Sequence, residues 1–261
     1  MTTLPTLFVS HGAPDLILQE TSDYRFFQEL GRSLPRPDAI LCVSAHWDTP
    51  TPATTGIDLP QTIHDFSGFQ AELYEMRYPC PGEPTLAGKV AKLLRDTAID
   101  CTVAAQRGLD HGAWIPLKLM FPKADIPVIQ LSIQTNRDTQ HHYEIGQSLA
   151  PLRQEGVLII GSGGATHNLR EFGRYAVDAP PVPYATAFDD WLAASIENGA
   201  VEDLLDYRSR APEARHNHPT EDHFLPLFAP LGAAGQKTKG ARIYRNINFG
   251  ILSMAAFAWG L

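Results

Sequence analysis

Histidine binds divalent metals as a neutral donor near pH 7 and also moves protons there. The placement of the ten histidines in this 261-residue chain is therefore informative. Three of them follow apolar runs with the character of buried strands. His11 follows TLFVS, His46 follows AILCVSA, and His167 lies just past VLIIGS, within GSGGATHNL. Small residues flank each one (SHGAP, SAHW, GGATHN), so the backbone can turn sharply and leave room above an imidazole. His111 sits in GLDHGAW, ahead of the helical-looking stretch WIPLKLMF. His223 sits in HPTEDHFLPLF. There Pro219 suits a first helical position and Glu221 and Asp222 a first turn, so His223 is expected on a helix's N-terminal turn. One histidine after a strand is ordinarily a hydrogen-bonded structural residue. Three at independent strand ends suggest a shared purpose, and a cluster of imidazoles on one rim is a metal site in the making. Among the rest, His141 and His142 are expected to be solvated on a helix face, and His216 to lie in a polar loop. His64, in TIHDFSGF, is divided evenly between a structural role and a pocket wall.

These residues need a frame to bring them together. TLFVS (6–10), AILCVSA (39–45), CTVAA (101–105), IPVIQLSI (126–133) and VLIIGS (157–162) are short continuous apolar runs, as in strands buried on both faces. Helical patterns separate them. DYRFFQELGRSL has Thr21 and Ser22 as candidate N-caps. TLAGKVAKLLRDT carries Leu86, Val90, Leu93 and Leu94 at helical spacing. TQHHYEIGQSLAPLR and FDDWLAASI continue the series. This alternation predicts an α/β fold, one domain over 1–261, with a mostly parallel sheet flanked by helices. The last segment, ARIYRNINFGILSMAAFAWG, reads as an antiparallel edge pair, and AVDAPPVPYA (176–185) as a surface loop. In a parallel sheet the carboxyl ends of the strands share one edge, where ligands bind, so His11, His46 and His167 are expected to converge there.

Composition narrows the function. With 21 Lys and Arg against 29 Asp and Glu, the formal net charge is −8, and no basic run is present. Nucleic acid is thus a poor partner. No apolar stretch is long enough to span a bilayer, and MTTLPTLFVSHGAP lacks the basic region of a signal peptide. Cys42, Cys80 and Cys101 form an odd set without a CxxC pair, which suggests reduced thiols in a cytoplasmic protein. There is no GxSxG elbow, Walker A loop or HExxH. The glycines of GSGGATHNL match no phosphate-loop spacing. Ser10 and Ser44 precede the first two histidines, but spacing identifies no acidic partner for a serine nucleophile.

Read together and in order, SHGAP, SAHW, DHGAW, GSGGATHNL and PTEDHFLPL resemble the class III extradiol ring-cleaving dioxygenases. TIHDFSGFQAELYEMRYPCPG and IPVIQLSI add a likeness to the 4,5-DOPA extradiol dioxygenase subgroup. The resemblance runs through nearly the whole chain. It implies one divalent metal at the sheet edge, held by His11, His46 and His223, the last where protocatechuate-cleaving relatives carry a glutamate. Glu221, Asp222 and His218 remain alternatives for the third position. The resemblance further implies His167 as the acid–base residue, with a pKa near the working pH, and His111 as a second active-site histidine. Thr166 and Asn168 are candidates to orient His167. The expected metal for activity is Fe(II), and the partners are a small catechol and O₂, in a monomer or homo-oligomer. Three imidazoles also suit catalytic zinc. Alternatives are therefore a zinc-dependent hydrolase or lyase, or a metal- or phenol-binding protein without turnover. His64, Phe66, Trp47, Trp114 and Tyr184 are candidate pocket walls.

Overall fold

The structure is a computed structural model that describes residues 3–236 and 238–261. Its strands are β1 (Thr6–Ser10), β2 (Ala39–Asp48), β3 (Ala53–Thr55), β4 (Thr102–Ala104), β5 (Val128–Ile133), β6 (Val157–Gly163), β7 (Gly240–Tyr244), β8 (Ile247–Asn248), β9 (Leu252–Ser253) and β10 (Ala256–Trp259). The longer helices are α1 (Ser22–Ser33), α3 (Pro84–Asp96), α4 (His111–Met120), α5 (Thr139–Leu149) and α6 (Pro183–Asn198). Shorter ones are α2 (Ala71–Glu75), α7 (Val201–Leu205), α8 (Tyr207–Arg210), α9 (Ala214–Asn217) and α10 (Phe228–Ala234).

Eight strands form one sheet in the order β4-β3-β5-β2-β6-β1-β10-β7. The central run β5-β2-β6-β1 is parallel throughout. β10 and β7 close one edge antiparallel, as the chain's last segment led us to expect. Successive residues of each central strand serve opposite faces. Ile40 and Cys42 join a core with Phe27 and Leu30 of α1 and Trp114 and Leu117 of α4. Leu41 and Val43 join one with Val90 and Leu94 of α3 and Ile145 and Leu149 of α5. A third cluster packs Phe257 and Trp259 of β10 against Phe188 and Leu192 of α6 and Phe228 of α10. Continuous apolar runs are what such two-sided burial requires.

Local signals set the helix ends. Thr21 caps α1 by accepting from the Tyr24 amide, and Asp110 and Asp138 do the same for α4 and α5. Each satisfies an amide that the helix leaves unpaired.

Four expectations give way. CTVAA is not a buried strand: β4 is a three-residue edge strand, and Val103 is 45% exposed. α6 begins at Pro183, inside the expected loop, because proline at a first helical position costs no hydrogen bond. Residues 219–224 form no helix; His223 lies in a turn before a 3₁₀ turn at Leu225–Leu227. His141 and His142 are buried rather than solvated. The His142 Nδ1 lies 2.8 Å from the Asp138 carbonyl, and its Nε2 accepts from the Gln134 amide at 3.1 Å. Burial pushes its pKa down to about 4.

Candidate metal centre and active site

The carboxyl ends of β1, β2 and β6 deliver three of the singled-out histidines to one rim. β1 ends at Ser10, and the His11 amide extends the ladder by donating to the Gly163 carbonyl at 3.0 Å. His46 lies near the end of β2, and His167 four residues past β6. The turn carrying His223 is pinned above β6, where the Gly164 amide donates to the His223 carbonyl at 2.9 Å. A Cβ on Gly163 would sit 2.1 Å from that carbonyl oxygen, so only glycine permits the approach. His111 arrives as the first residue of α4.

His11, His46 and His223 bring their Nε2 atoms together. His46 Nε2 lies 3.0 Å from His11 Nε2 and 3.3 Å from His223 Nε2, and the three residues offer donors all within 4.8 Å of one another. Nitrogens bound about 2.0–2.1 Å from one ion, at octahedral to tetrahedral angles, would stand roughly 2.8–3.4 Å apart. The Nδ1 partners settle which way the lone pairs point. Ser162 Oγ donates to the Gly112 carbonyl at 2.5 Å and so must accept from His11 Nδ1, 3.0 Å away. His223 Nδ1 faces the Asp222 carboxylate at 2.5 Å, and His46 Nδ1 faces that of Asp65 at 3.6 Å. The Nδ1 atoms of His11 and His223 therefore carry their protons, and with His46 in the same tautomer three Nε2 lone pairs converge with no hydrogen between them. Such a set repels itself unless a cation sits among it, so these residues fit a divalent metal.

Burial keeps the donors in their neutral, ligating form. Desolvation, aided by neighbouring imidazoles, holds His11 well below the usual histidine range and brings His46 down to about 2. Asp65 is also lowered to about 2. Burial opposes that shift, and the hydrogen bond and charge of His111 overcome it.

Two further imidazoles flank the cluster. His167 stacks on His223 with ring centres 3.4 Å apart and planes 9° apart. His111 lies against His46 at 3.9 Å. Desolvation first, then His223 and His218, lowers His167 to about 2. Its burial favours the uncharged ring over the imidazolium. Neither Thr166 nor Asn168 hydrogen-bonds its ring. The Thr166 hydroxyl donates to the Ile251 carbonyl, and Asn168 Oδ1 accepts from the Arg170 amide.

The cluster floors a cavity of about 320 Å³, within the range of small-molecule sites. All five histidines line it, with Phe66, Phe69, Leu169, Phe172, Leu252 and Met254 above them. Among the described residues, no Lys, Arg, Asp or Glu lines it. Of the expected aromatic walls only Phe66 takes part. Trp114 is core, with its indole N–H donating to Ile63, and Tyr184 is tied to Glu171. Trp47 instead stacks under Arg107. His64 turns away, its Nε2 3.0 Å from the Met76 carbonyl. His218 is fully buried against the Ala165 carbonyl, and Glu221 accepts from Tyr207 and Arg208, so neither reaches the cluster. Ser44 donates to Asp110 at 2.6 Å, and Ser10 to the Ala255 carbonyl at 2.8 Å, so neither hydroxyl is free as a nucleophile.

Sequence reasoning missed the supports. Asp110, fully buried, takes hydrogen bonds from Ser44, Gln130 and Arg107 and so ties β2 to the start of α4. Gly112 is required beside it, since a Cβ there would meet Ser44 Oγ at 2.6 Å and His46 Cδ2 at 2.9 Å. Asp65 accepts from the His111 amide at 2.9 Å and lies 3.0 Å from its Nδ1. In TIHDFSGF the working residue is the neighbour of the histidine that drew notice. Alternation along extended backbone, which points adjacent side chains opposite ways, was the available signal.

Comparisons with known proteins place the chain in a family. Residues 5–255 match the family described as the catalytic LigB subunit of aromatic ring-opening dioxygenase. A Beta vulgaris protein called 4,5-DOPA dioxygenase extradiol is 43% identical over 97% of this chain and 95% of its own. An Escherichia coli K12 protein of the same name is 40% identical over 99% and 96%. The crystal structure of an uncharacterized Escherichia coli K12 protein, JW3007, superposes with a TM-score of 0.83 at 36% identity, covering 98% of this chain and 100% of that one.

Proposed function

Because the chain belongs to the LigB family of aromatic ring-opening dioxygenases and is a metal-dependent extradiol ring-cleaving enzyme, we propose that His11, His46 and His223 hold its metal, that the metal is Fe(II), and that the substrate is a substituted catechol of the kind DOPA exemplifies. The convergence of three unprotonated Nε2 atoms carries this reading. Bound there, ferrous iron supplies the redox centre through which a catechol and O₂ exchange electrons, since three ligands on one face leave positions open. Zinc fits the same donors and binds such sites more tightly than ferrous iron, but it has no redox change to offer. It is an inactive occupant in this reading.

The protein's own groups do the rest. His167 faces the cavity, stacked on His223, and so is placed to take a proton from one catechol hydroxyl and return it as the ring opens beside the diol to a semialdehyde acid. His111, its Nδ1 facing Asp65, turns its other nitrogen toward the cavity and hydrogen-bonds the second substrate oxygen. The apolar wall excludes water and packs the ring face and its substituent. Cys42, Cys80 and Cys101, all buried and unpaired, support placement in the reducing cytoplasm. Among the described residues, no helix is long and apolar enough to cross a membrane.

The test is anaerobic reconstitution with Fe(II), then addition of a catechol and O₂. A yellow ring-fission product with stoichiometric oxygen uptake is expected. Iron-loaded protein that consumes no oxygen with any catechol would overturn the assignment.

A further inference from the structure

The three imidazoles differ in what stands behind them. His223 is backed by the Asp222 carboxylate at 2.5 Å and His46 by that of Asp65 at 3.6 Å, whereas His11 is backed by a neutral hydroxyl, Ser162 Oγ, at 3.0 Å. Neither carboxylate is occupied by a Lys or Arg among the described ion pairs; each one faces histidines. We infer that Asp222, through its hydrogen bond to the His223 ring, and Asp65, through its charge beside the His46 ring, are positioning residues that restore the negative charge that an all-imidazole ligand set lacks. The inference rests on the metal-holding role proposed for these histidines.

The physical basis is the polarity of the Nδ1–H bond. A carboxylate accepting that proton fixes the tautomer and pushes electron density toward Nε2, so the ring becomes a stronger donor to a dication. A metal held by two histidines and a carboxylate receives one full negative charge directly. Here the negative charge sits one ring further out, with one carboxylate behind His223 and another beside His46.

Asp65 has a second task. The oxygen that takes the His111 amide, and lies 3.0 Å from its Nδ1, belongs to the same carboxylate whose other oxygen faces His46. One side chain thus sets a metal ligand and a substrate-facing histidine together. Its loop can hold that position because it is stitched to the segment before α4. The Ile63 amide donates to the Leu109 carbonyl at 2.8 Å, and the Leu109 amide to that of Gln61 at 2.8 Å.

Asparagine separates charge from orientation, since its Oδ1 still accepts the Nδ1 proton. Dissociation constants for Co(II) and Zn(II) would be measured by competition with a chelator, without catechol or O₂, for the full chain and for Asp222→Asn, Asp65→Asn and Ser162→Ala. The two Asn variants should each bind metal about 10–100-fold more weakly, and Ser162→Ala should lose less than either. The Co(II) absorption bands should shift in Asp222→Asn. Asp65→Asn should also raise KM for the catechol. Affinities within threefold of the parent for both Asn variants, or an equal loss in Ser162→Ala, would overturn the inference. Should Asp222→Asn not fold, Asp65→Asn decides the matter alone, because Asp65 lies on a surface loop. A parent that binds metal tightly but opens no catechol would sink the proposed function and leave this inference intact.

Discussion

The floor and the wall of the cavity are built on opposite terms. The floor is five imidazoles, three of them aimed at one point, and each of those three has a side-chain oxygen behind its Nδ1. The wall is Phe66, Phe69, Leu169, Phe172, Leu252 and Met254, with no charge among them. A floor atom displaced by a few tenths of an ångström breaks a coordination geometry. A wall atom displaced as far only alters packing. Precision is concentrated in the floor, where Gly112 and Gly163 admit no Cβ. Leu169 and Phe172 of the wall, by contrast, stand 54% and 52% exposed.

The contrast is testable in order of effect. His46→Ala or His223→Ala should abolish metal retention and turnover together, read by metal analysis and oxygen uptake. Retention of a full metal equivalent by either would remove that residue from the ligand set. His167→Gln should lower kcat by about 10²–10⁴-fold while metal content stays at the parent level. Unchanged kcat would end its proton-transfer role. Phe172→Ala should raise KM by roughly 3–10-fold with little change in kcat, as expected for loss of binding that is uniform through the reaction. A larger fall in kcat than rise in KM would show the wall doing the floor's work.

The smallest effect lies outside both regions. His142 is buried with both nitrogens satisfied and its pKa lowered from 6.5 to about 4. Below pH 6.5 the unfolded chain takes up a proton that the folded chain refuses. Its contribution to stability is therefore complete above that pH and is lost as pH falls toward 4, at up to about 1.4 kcal/mol per pH unit. Urea unfolding between pH 7 and 4 reads the slope, which His142→Asn should flatten.

Much of the floor was legible in the sequence because strand ends are legible. Apolar runs of the right length mark buried strands, and residues just past them must lie on one edge. His223 was placed by resemblance, and its local structure was misread. PTEDHF has the residues of a helix start, yet Gly164 must hydrogen-bond the His223 carbonyl, and the chain turns instead. Ser162 was invisible because its value lies wholly in what it faces across the fold, whereas Asp65, on the opposite side of the chain from His64, was passed over. The wall was mostly misassigned for a similar reason. Trp114 and Tyr184 are apolar enough for a pocket, but their polar atoms found partners in the core and on the surface.

The central claim is that three distant imidazoles hold one ion through Nε2. Anomalous diffraction at the absorption edge of the bound metal, from crystals of the reconstituted protein, tests it most directly. We predict a single peak about 2.0–2.2 Å from Nε2 of His11, His46 and His223. A peak bound elsewhere, or one that leaves any of these three nitrogens uncoordinated, would contradict the account.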